Sequence, residues 1–409
     1  MNATPVAPAP PRSSMFIGLR LYPAFRLLWL GTVLTFLGQW MKNIALGWHM
    51  LVLTDSPFMV GMIAFASGIP FLIVALPAGA LVDRADERKV LLFSQWSSML
   101  VAAVLAVMIM FDLARPWHLL IAAGLSGTIM ALNQTVRQTL VPALVNREHM
   151  ANAVALNSAG SNAMRIIGPS VAGVVIATLG VAACFFIQAG ALLAALLVSV
   201  RIKPLASKLS GVATGGLLDG WREVRKRPAL GSLIVLTAIP SVLVYPYMQL
   251  MPVFARDVFD IGPRGLGLLM AASGLGALLG ALAAATMDRV QRKGLAVMAL
   301  TVVYCAALAG FAASPLPILA MLGLFLAGVT GSIFGSLTSA LMLLLTDARV
   351  RGRVMAIYML TNGFTPFGAI ALGALAQQYG APWAVSISCL IATALTAVAA
   401  LRMHSLRSA

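Results

Sequence analysis

The chain has 409 residues, of which 60% are hydrophobic and 10% are charged, and its formal net charge is +16. A soluble domain carries about 25% charged residues, so a chain this apolar needs lipid as its surroundings. The basic residues stand between apolar runs and not on one polar face, which excludes nucleic-acid binding as their purpose. The composition therefore predicts an all-α integral membrane protein.

Twelve apolar runs follow one another along the chain, each long enough to cross a bilayer, which takes about 20 residues. The runs fall at 26–53, 58–82, 89–111, 117–138, 150–179, 181–200, 229–253, 265–287, 294–313, 316–345, 354–379 and 382–401. We expect the chain to divide into a disordered cytoplasmic tail, a six-helix bundle, a linker, a second six-helix bundle and a short cytoplasmic tail, at 1–20, 21–200, 201–228, 229–402 and 403–409.

The distribution of Lys and Arg predicts the orientation in the membrane. Only Arg115, Arg256 and Arg264 fall in the loops on one side, whereas the segments on the other side hold most of the basic residues. Since basic loops stay in the cytoplasm, both termini are predicted to be cytoplasmic. Within the linker, 217–227 reads as a short basic amphipathic helix on the inner membrane surface, and a solvated linker with the same charge bias remains open.

The two halves resemble each other in sequence. A shift of 200 residues superposes Asn162, Gly168, Gly173 and Gly180 on Asn362, Gly368, Gly373 and Gly380, and a shift of 205 superposes Asp83-Arg84 on Asp288-Arg289. Matches at equivalent places indicate a parallel repeat, an architecture in which the substrate site lies between the halves near the bilayer midplane.

The loop after the second run reads GALVDRADERK over 79–89 and resembles the signature loop of the major facilitator superfamily. Its matching residues are Gly79, Leu81, Asp83, Arg84, Arg88 and Lys89. The resemblance implies a fold of twelve helices and a latch between the halves. In that latch Asp83 would dock near the start of the eleventh run, with Asp288 and Arg289 as the equivalent pair of the second half.

A second motif, RIIGPSVAG over 165–173, resembles the Gly-Pro motif of superfamily antiporters at Gly168, Pro169 and Gly173. The resemblance implies export and a role of these residues in sealing the cytoplasmic side. Simple close packing of helices would also explain them. The stretches 137–169 and 350–360 are similar to the branch of enterobactin (siderophore) exporters and macrolide efflux proteins.

Charged residues inside the runs indicate the substrate site. No Asp or Glu falls mid-run, whereas Lys42 and Arg165 do. A charge at the bilayer centre costs about 2.5–3.5 kcal/mol, so these two cations are interpreted as facing a cavity that binds an anionic or phenolate-rich substrate. In the alternative, Arg165 bonds helix carbonyls and Lys42 reaches toward the membrane surface.

Polar residues near these cations complete the predicted substrate site. It comprises Gln39, Asn43, Asn162, Asn362, Tyr245 and Gln249, with Asn133, Gln134, Tyr247, Ser332, Ser336 and Ser339 as further wall residues. Each could instead bond a neighbouring helix.

Nothing in the sequence indicates an enzyme, a cofactor or a metal site. Cys184, Cys305 and Cys389 fall in separate runs without metal-ligand spacing, and a phosphate-cradling Gly-rich loop is missing. Because a mid-membrane carboxylate is missing too, a coupling proton would have to use Asp55, Asp112 or His49, or Arg165 would exchange the substrate for a counter-ion.

The sequence thus predicts a monomeric secondary transporter of the bacterial inner membrane that exports a small anionic or amphipathic, siderophore-like molecule, coupled to H⁺. Macrolide or multidrug efflux, uptake of an organic anion and a non-transporting receptor remain open as alternatives.

Overall fold

The computed structural model describes residues 16–84, 86–202, 217–286, 293–347 and 350–402. These residues form helices, turns and connecting segments, and the described part contains no strand. Twelve helical segments follow the predicted runs, six in each half. In the first half they are α1 (Pro23–Thr54), α2 (Pro57–Arg84), α3 (Glu87–Met110), α4 (Pro116–Ala143), α5 (Met150–Leu179) and α6 (Val181–Val200).

The second half repeats this number of segments after a helix in the linker at Leu217–Lys226. They are α7 (Pro228–Leu243, continuing irregularly to Val258), α8 (Gly262–Ala284), α9 (Lys293–Ala313), α10 (Pro317–Leu344), α11 (Arg351–Asn362 and Thr365–Tyr379) and α12 (Ala381–Arg402). We call the side on which α1 begins and α12 ends the termini face, and the opposite side the distal face.

Eleven of the described helices are long and apolar enough to cross a membrane. The exception is α1, which has 32 residues. Its apolar sequence is interrupted by Gln39, Lys42 and Asn43. Helix α1, which is less apolar than a typical membrane span, is therefore also a helix predicted to carry substrate-binding residues.

Helix boundaries follow from proline and from left-handed backbone. Proline is the first residue of α1, α2, α4, α7 and α10, a position that requires no N–H donor. At the turns from α5 to α6 and from α11 to α12, Gly180 and Gly380 have φ of 84° and 83°. Only glycine adopts such a conformation without strain. These two glycines were matched in the sequence repeat, and they perform the same task in both halves.

The helices of the two halves pack in the same order, which confirms the parallel repeat. In the first half α2 packs on α4, α3 on α6, and α1 on both α5 and α6. In the second half α8 packs on α10, α9 on α12, and α7 on both α11 and α12, so each pair recurs six helices later. Between the halves, α2 meets α11 and α5 meets α8, and these two interfaces are equivalent under the repeat.

Two parts of the chain differ from the predicted boundaries. Helix α4 continues to Ala143, five residues beyond its predicted end, so that Arg137 lies well within the helix and not at its end. A short helix at Ile17–Leu21 lies inside the segment predicted as a disordered tail. It is held because the Gly18 N–H donates to Asn152 Oδ1 of α5 over 3.1 Å.

Candidate functional site

Two neighbouring cavities occupy the centre of the molecule. The first, the N-half cavity, has a volume of about 420 Å³ and is enclosed by α1, α3, α4 and α5. The second, the inter-half cavity, has about 630 Å³ and lies between α1, α2 and α4 of the first half and α7 and α11 of the second. Gln134 and Gln138 of α4 line both, so the two cavities are adjoining parts of one site.

The N-half cavity is lined mainly by polar side chains. They are Thr35, Gln39, Ser98, Ser126, Asn133, Gln134, Arg137, Gln138, Asn157, Ser158 and Ser161. The residues lining the two cavities in the described structure include one cation, Arg137, and neither Asp nor Glu. This wall offers hydroxyl and amide hydrogen bonds in a positive electrostatic environment, which suits an anion.

Arg137 is 4% exposed and fixes α4 against α1. Its Nε donates to Asn133 Oδ1 over 2.7 Å, and its two terminal nitrogens donate to the Thr32 and Thr35 hydroxyls. The carbonyls of Leu28 and Gly31 accept at 3.5 and 3.4 Å. All five guanidinium donors thus have oxygen partners, but none of these partners is a carboxylate, so the positive charge is not neutralised by this network.

The inter-half cavity is more apolar and borders irregular backbone. Its wall includes Phe71, Leu72, Met359 and Leu360. In α7 the backbone changes to a 3₁₀ turn at Tyr245–Leu250 and to a π turn at Phe254–Val258, and in α11 the helix is interrupted between Asn362 and Thr365.

The prolines of these segments lack the N–H that a regular helix requires; they are Pro246, Pro252 and Pro366. Gln249, Gly363, Thr365 and Pro366 of the irregular stretches line the cavity. Non-helical backbone at membrane depth is tolerated where it borders a water-filled cavity or lies buried in protein, and interrupted helices commonly mark transport sites.

The distal face is closed by direct contacts between the halves. Arg256, at the end of α7, forms ion pairs with Asp55 and Asp257 and donates to the Leu51 carbonyl of α1 over 2.9 Å. Ser56 donates to Gln377 of α11 over 2.8 Å. Close backbone approach extends these contacts inward.

At the α5–α8 interface a Cβ at Gly173 would lie 2.5 Å from the Pro263 carbonyl oxygen. At the equivalent α2–α11 interface a Cβ at Gly61 would lie 2.4 Å from the Ala369 carbonyl oxygen. The inter-half cavity extends from Pro366 along α2 to Ala75, toward the termini face. The inter-half cavity therefore lies on the termini side of these contacts.

The structure brings three of the predicted substrate residues to the cavities, together with Asn133 and Gln134 of the predicted wall residues. Gln39 lines the N-half cavity, and Asn43 and Gln249 line the inter-half cavity. Asn162 is exposed, and its amide donates to the Ser158 carbonyl within α5 over 2.9 Å. Asn362 ends the first segment of α11, but its side chain lies outside the described part of the structure.

The two cations predicted for the site lie outside both cavity walls. Lys42 is 5% exposed and makes no hydrogen bond or ion pair with the described residues. Arg165 is exposed on α5, and its guanidinium carbon lies 6.0 Å from the centre of the Trp40 ring. The next residue, Ile166, packs against Gly274 of α8 in the second half. Arg165 therefore faces the interface between the halves.

The predicted latch is described only in part. Asp288 and Arg289 lie outside the described residues, as do the side chains at Asp83 and Arg84 and the surroundings of Gly79. Arg88 is described, and its Nη2 donates to the Val200 carbonyl at the end of α6 over 2.5 Å. This contact joins two helices of the same half. Gly168 packs against Trp40, Pro169 is buried, and Gly173 lies at the α5–α8 contact.

Arg137 and Gln138 are the site residues that the sequence reasoning missed. Both stand at the end of the predicted run 117–138, and neither was assigned to the substrate site. A signal was available: the arginine follows the polar residues Asn133 and Gln134 at helical spacing, which places all of them on one side of an extended α4.

Comparison with known proteins finds membrane transporters. A family model described as a transmembrane secretion effector matches residues 13–408. The multidrug efflux pump Tap of Mycolicibacterium fortuitum is 29% identical over 84% of this chain and 87% of its own length. The enterobactin exporter EntS of Shigella flexneri is 26% identical over 87% and 86%. The staphyloferrin A transporter of Staphylococcus aureus is 28% identical over 61% and 64%.

Solved structures share the fold at low sequence identity. A bacterial homologue of the human lysosomal transporter Spinster, in an inward-facing and unoccupied conformation, has a TM-score of 0.75 and 13% identity, with 94% of this chain and 98% of that chain covered. The nucleoside transporter NupG has a TM-score of 0.70 and 16% identity, with 94% and 98% covered. These proteins have the major facilitator fold. The chain therefore belongs to the transmembrane secretion effector family of major facilitator transporters.

Proposed function

We propose that this protein is a secondary active transporter that exports a small anionic or amphipathic molecule, of siderophore type, across the bacterial inner membrane. The observation that carries the proposal is the site itself: a central cavity, closed at the distal face, whose described wall holds Arg137 but neither Asp nor Glu. An anion gains from that charge, whereas a cation would be repelled by it.

The direction of transport follows from the orientation. The excess of Lys and Arg on the termini side favours a cytoplasmic termini face, by the positive-inside rule. The site would then load from the cytoplasm, which suits an exporter. Uptake would use the same states in the opposite order, and the resemblance of 165–173 to the antiporter motif favours export.

Alternating access is supported by the symmetry of the contacts between the halves. The α2–α11 and α5–α8 interfaces are equivalent, so a rocking motion can open both on one face and close them on the other. In such a cycle Gly168, Pro169 and Gly173 permit the close approach, and Gly79, Asp83, Arg84, Asp288 and Arg289 would latch the termini face in the opposite state.

Proton coupling is part of this proposal. Asp55 lies on the distal face and pairs with Arg256 across the halves. Protonation of this carboxylate from outside would remove the ion pair and so weaken a contact that keeps the distal face closed. Lys42 and Arg165 are proposed to meet the substrate after the halves have moved, because neither lines the cavity in the present conformation.

Multidrug efflux is a second candidate, favoured by the apolar inter-half wall with Phe71, Leu72 and Met359 and by the likeness to Tap. A flexible apolar wall can bind ligands of different shapes. The two candidates differ in ligand charge, since the described walls hold no carboxylate for a cationic drug.

The test is uptake into inverted membrane vesicles, whose outer surface is the cytoplasmic face, and into proteoliposomes of known orientation. The ligands are a catecholate siderophore, a hydroxamate siderophore, a macrolide and a cationic dye. We expect proton-gradient-dependent movement of a siderophore, abolished by an uncoupler. Movement of the macrolide and the dye alone would replace the first candidate by the second. Binding of a siderophore without any movement would contradict a transporter.

A further inference from the structure

We infer that the two cavities are separate subsites for the two ends of one amphipathic anion, with Gln134 and Gln138 as the residues that set this specificity. In this arrangement the anionic, polar end lies in the N-half cavity and the apolar body lies in the inter-half cavity. The inference names the substrate class of the proposed transporter and thus rests on the proposed function.

The first step of the argument is the geometry of α4. Successive helix residues are about 100° apart around the axis. The residues that line the N-half cavity, such as Met130, Asn133 and Arg137, occupy one side of α4. Ala131 and Thr135, which line the inter-half cavity, lie about 150° around the helix from them. Helix α4 is therefore the edge between the two cavities.

Gln134 and Gln138 stand on this edge, one helical turn apart, and they line both cavities. Both are exposed, and neither makes a hydrogen bond to the described residues. Each primary amide offers two donors and one acceptor oxygen to a ligand that passes between the cavities. A ligand confined to one cavity would meet only part of this pair.

The second step is the contrast between the walls. The N-half cavity has polar residues on all four of its helices, among them Ser98, Ser126 and Ser158. Asn157 adds a buried amide oxygen that lacks a partner in the described structure. The inter-half cavity is instead lined mainly by apolar residues. A purely hydrophilic anion would leave the apolar residues of the second wall, such as Phe71 and Leu72, without contacts. A purely apolar molecule would leave the polar groups of the first wall unpaired.

Three matched probes separate the subsites. They are 4-(1-pyrenyl)butyrate, which has an apolar body and a carboxylate, 1-pyrenebutanol, which has the body alone, and glutarate, which has carboxylates alone. Dissociation constants are measured by isothermal titration calorimetry on purified full-length protein in non-ionic detergent, with protein-free micelles as the blank. We expect pyrenylbutyrate to bind at least tenfold more tightly than either of the other probes.

Variants then assign each end of the probe to a cavity. Ser158→Phe fills the N-half cavity and Ala75→Phe fills the inter-half cavity. Their controls are Ala155→Phe and Ile73→Phe, on exposed positions of the same helices that line neither cavity. We expect pyrenylbutyrate affinity to fall about tenfold in both filled variants, pyrenebutanol affinity only in Ala75→Phe, and glutarate affinity only in Ser158→Phe.

Gln134→Leu and Gln138→Leu keep the size of the side chain and remove its amide. We expect pyrenylbutyrate affinity to fall about fivefold to tenfold in each, with pyrenebutanol affinity unchanged. The inference is overturned if both filled variants affect all three probes equally, or if the leucine variants bind pyrenylbutyrate as the parent does. If the binding pattern holds but no substrate is moved in vesicles, the subsites stand and the transport proposal fails.

Discussion

Three cations at membrane depth have different surroundings, which implies different tasks. Arg137 is buried with all its donors paired. Arg165 is exposed beside Trp40 at the boundary between the halves. Lys42 is buried without a described partner. The structural alternative considered for Arg165, bonding to helix carbonyls, is instead what Arg137 does with Leu28 and Gly31.

Replacing Arg137 should destabilise the protein more than replacing Arg165. Arg137→Gln removes the donors to Asn133 Oδ1 and to the Thr32 and Thr35 hydroxyls. An acceptor left unpaired in the protein interior costs about 1–3 kcal/mol. We expect a clear fall in the Tm of purified Arg137→Gln. Arg165→Gln is the matched control and should keep the parental Tm. Equal Tm values would show that the Arg137 network does not hold α4 to α1.

Replacing Lys42 should separate stability from transport. An unpaired charge at membrane depth costs about 2.5–3.5 kcal/mol on insertion scales, so Lys42→Met should raise the Tm. If Lys42 is retained for substrate, the same variant should lose most of its export activity in vesicles. A variant with a raised Tm and full export would assign Lys42 neither a structural nor a substrate role.

The charge-neutral double variant Lys42→Gln with Arg165→Gln tests both cations as substrate residues. We expect normal membrane expression with export reduced at least tenfold, since two positive charges that would meet an anion are lost. Expression is compared by immunoblot against the parent. Full export by the double variant would show that neither residue is needed for substrate and that both act in helix packing alone.

The sequence identified the polar residues within the helices more reliably than it predicted which of them line a cavity. Gln39, Asn43 and Gln249 were found because a polar side chain in an apolar run is rare, and all three line a cavity. Lys42 was found by the same rule, but it points away from both walls. The direction of a side chain one position along the helix depends on helix rotation, which the spacing of residues alone does not fix.

At the scale of helices, close approach of glycines holds the distal face together. The α5–α8 contact leaves no room for a side chain at Gly173, whose Cβ would meet the Pro263 carbonyl at 2.5 Å. Backbone cannot yield as a flexible side chain can. A larger residue here must push the two helices apart, and with them the two halves.

Gly173→Leu should therefore open the distal face. The reporter is Ala369→Cys, which is 1% exposed at the equivalent α2–α11 interface, labelled by a membrane-impermeant maleimide. The native cysteines are buried, so background labelling should be low. We expect several-fold faster labelling in Gly173→Leu. Gly190→Leu, where the added Cβ meets nothing within 4 Å, is the control. Equal rates would mean that α5 adapts without moving the halves.

The sequence predicted the existence of the helices well and their irregularities poorly. Apolar length marks a span regardless of its neighbours, which is why all twelve runs became helical segments. The interruptions of α7 and α11 contain Pro246 and Pro366, and Gln249 and Pro366 of these stretches line the inter-half cavity. The cavity exists only after the halves assemble, so Pro246 and Pro366 could be noted in the sequence without revealing their consequence.

At the scale of the whole molecule, a few glycines were enough to reveal the repeat, because no other residue fits the close contacts and the backbone conformations at these equivalent positions. Gly173 and Gly373 both lie where the halves meet, and Gly180 and Gly380 both have positive φ. The contact that closes the distal face breaks this symmetry. Helices α1 and α7 are equivalent under the repeat. Arg256 at the end of α7 supplies the cation of the pair, and Asp55, which follows α1, supplies the anion.

This asymmetric contact should control how long the distal face stays closed. Arg256→Gln removes the ion pair and the bond to the Leu51 carbonyl, whereas Asp55→Asn removes the ion pair alone. The Asp55 side chain is 84% exposed, and such a pair contributes about 0.2–1 kcal/mol. We expect Ala369→Cys labelling to rise up to about fivefold in Asp55→Asn and further in Arg256→Gln.

Two further experiments, added salt and an exchange of the two charges, distinguish loss of the Asp55–Arg256 ion pair from a general loosening of the fold. Raising ionic strength should speed labelling of the parent toward the Asp55→Asn rate and leave that variant nearly unchanged, because salt screens an exposed pair. Exchanging the charges, with Asp55→Arg and Arg256→Asp together, should restore part of the slow rate that each single change loses. If the exchanged protein labels as fast as the worse single variant, the ion pair does not hold the halves, and the glycine contacts of α2–α11 and α5–α8 alone close the distal face.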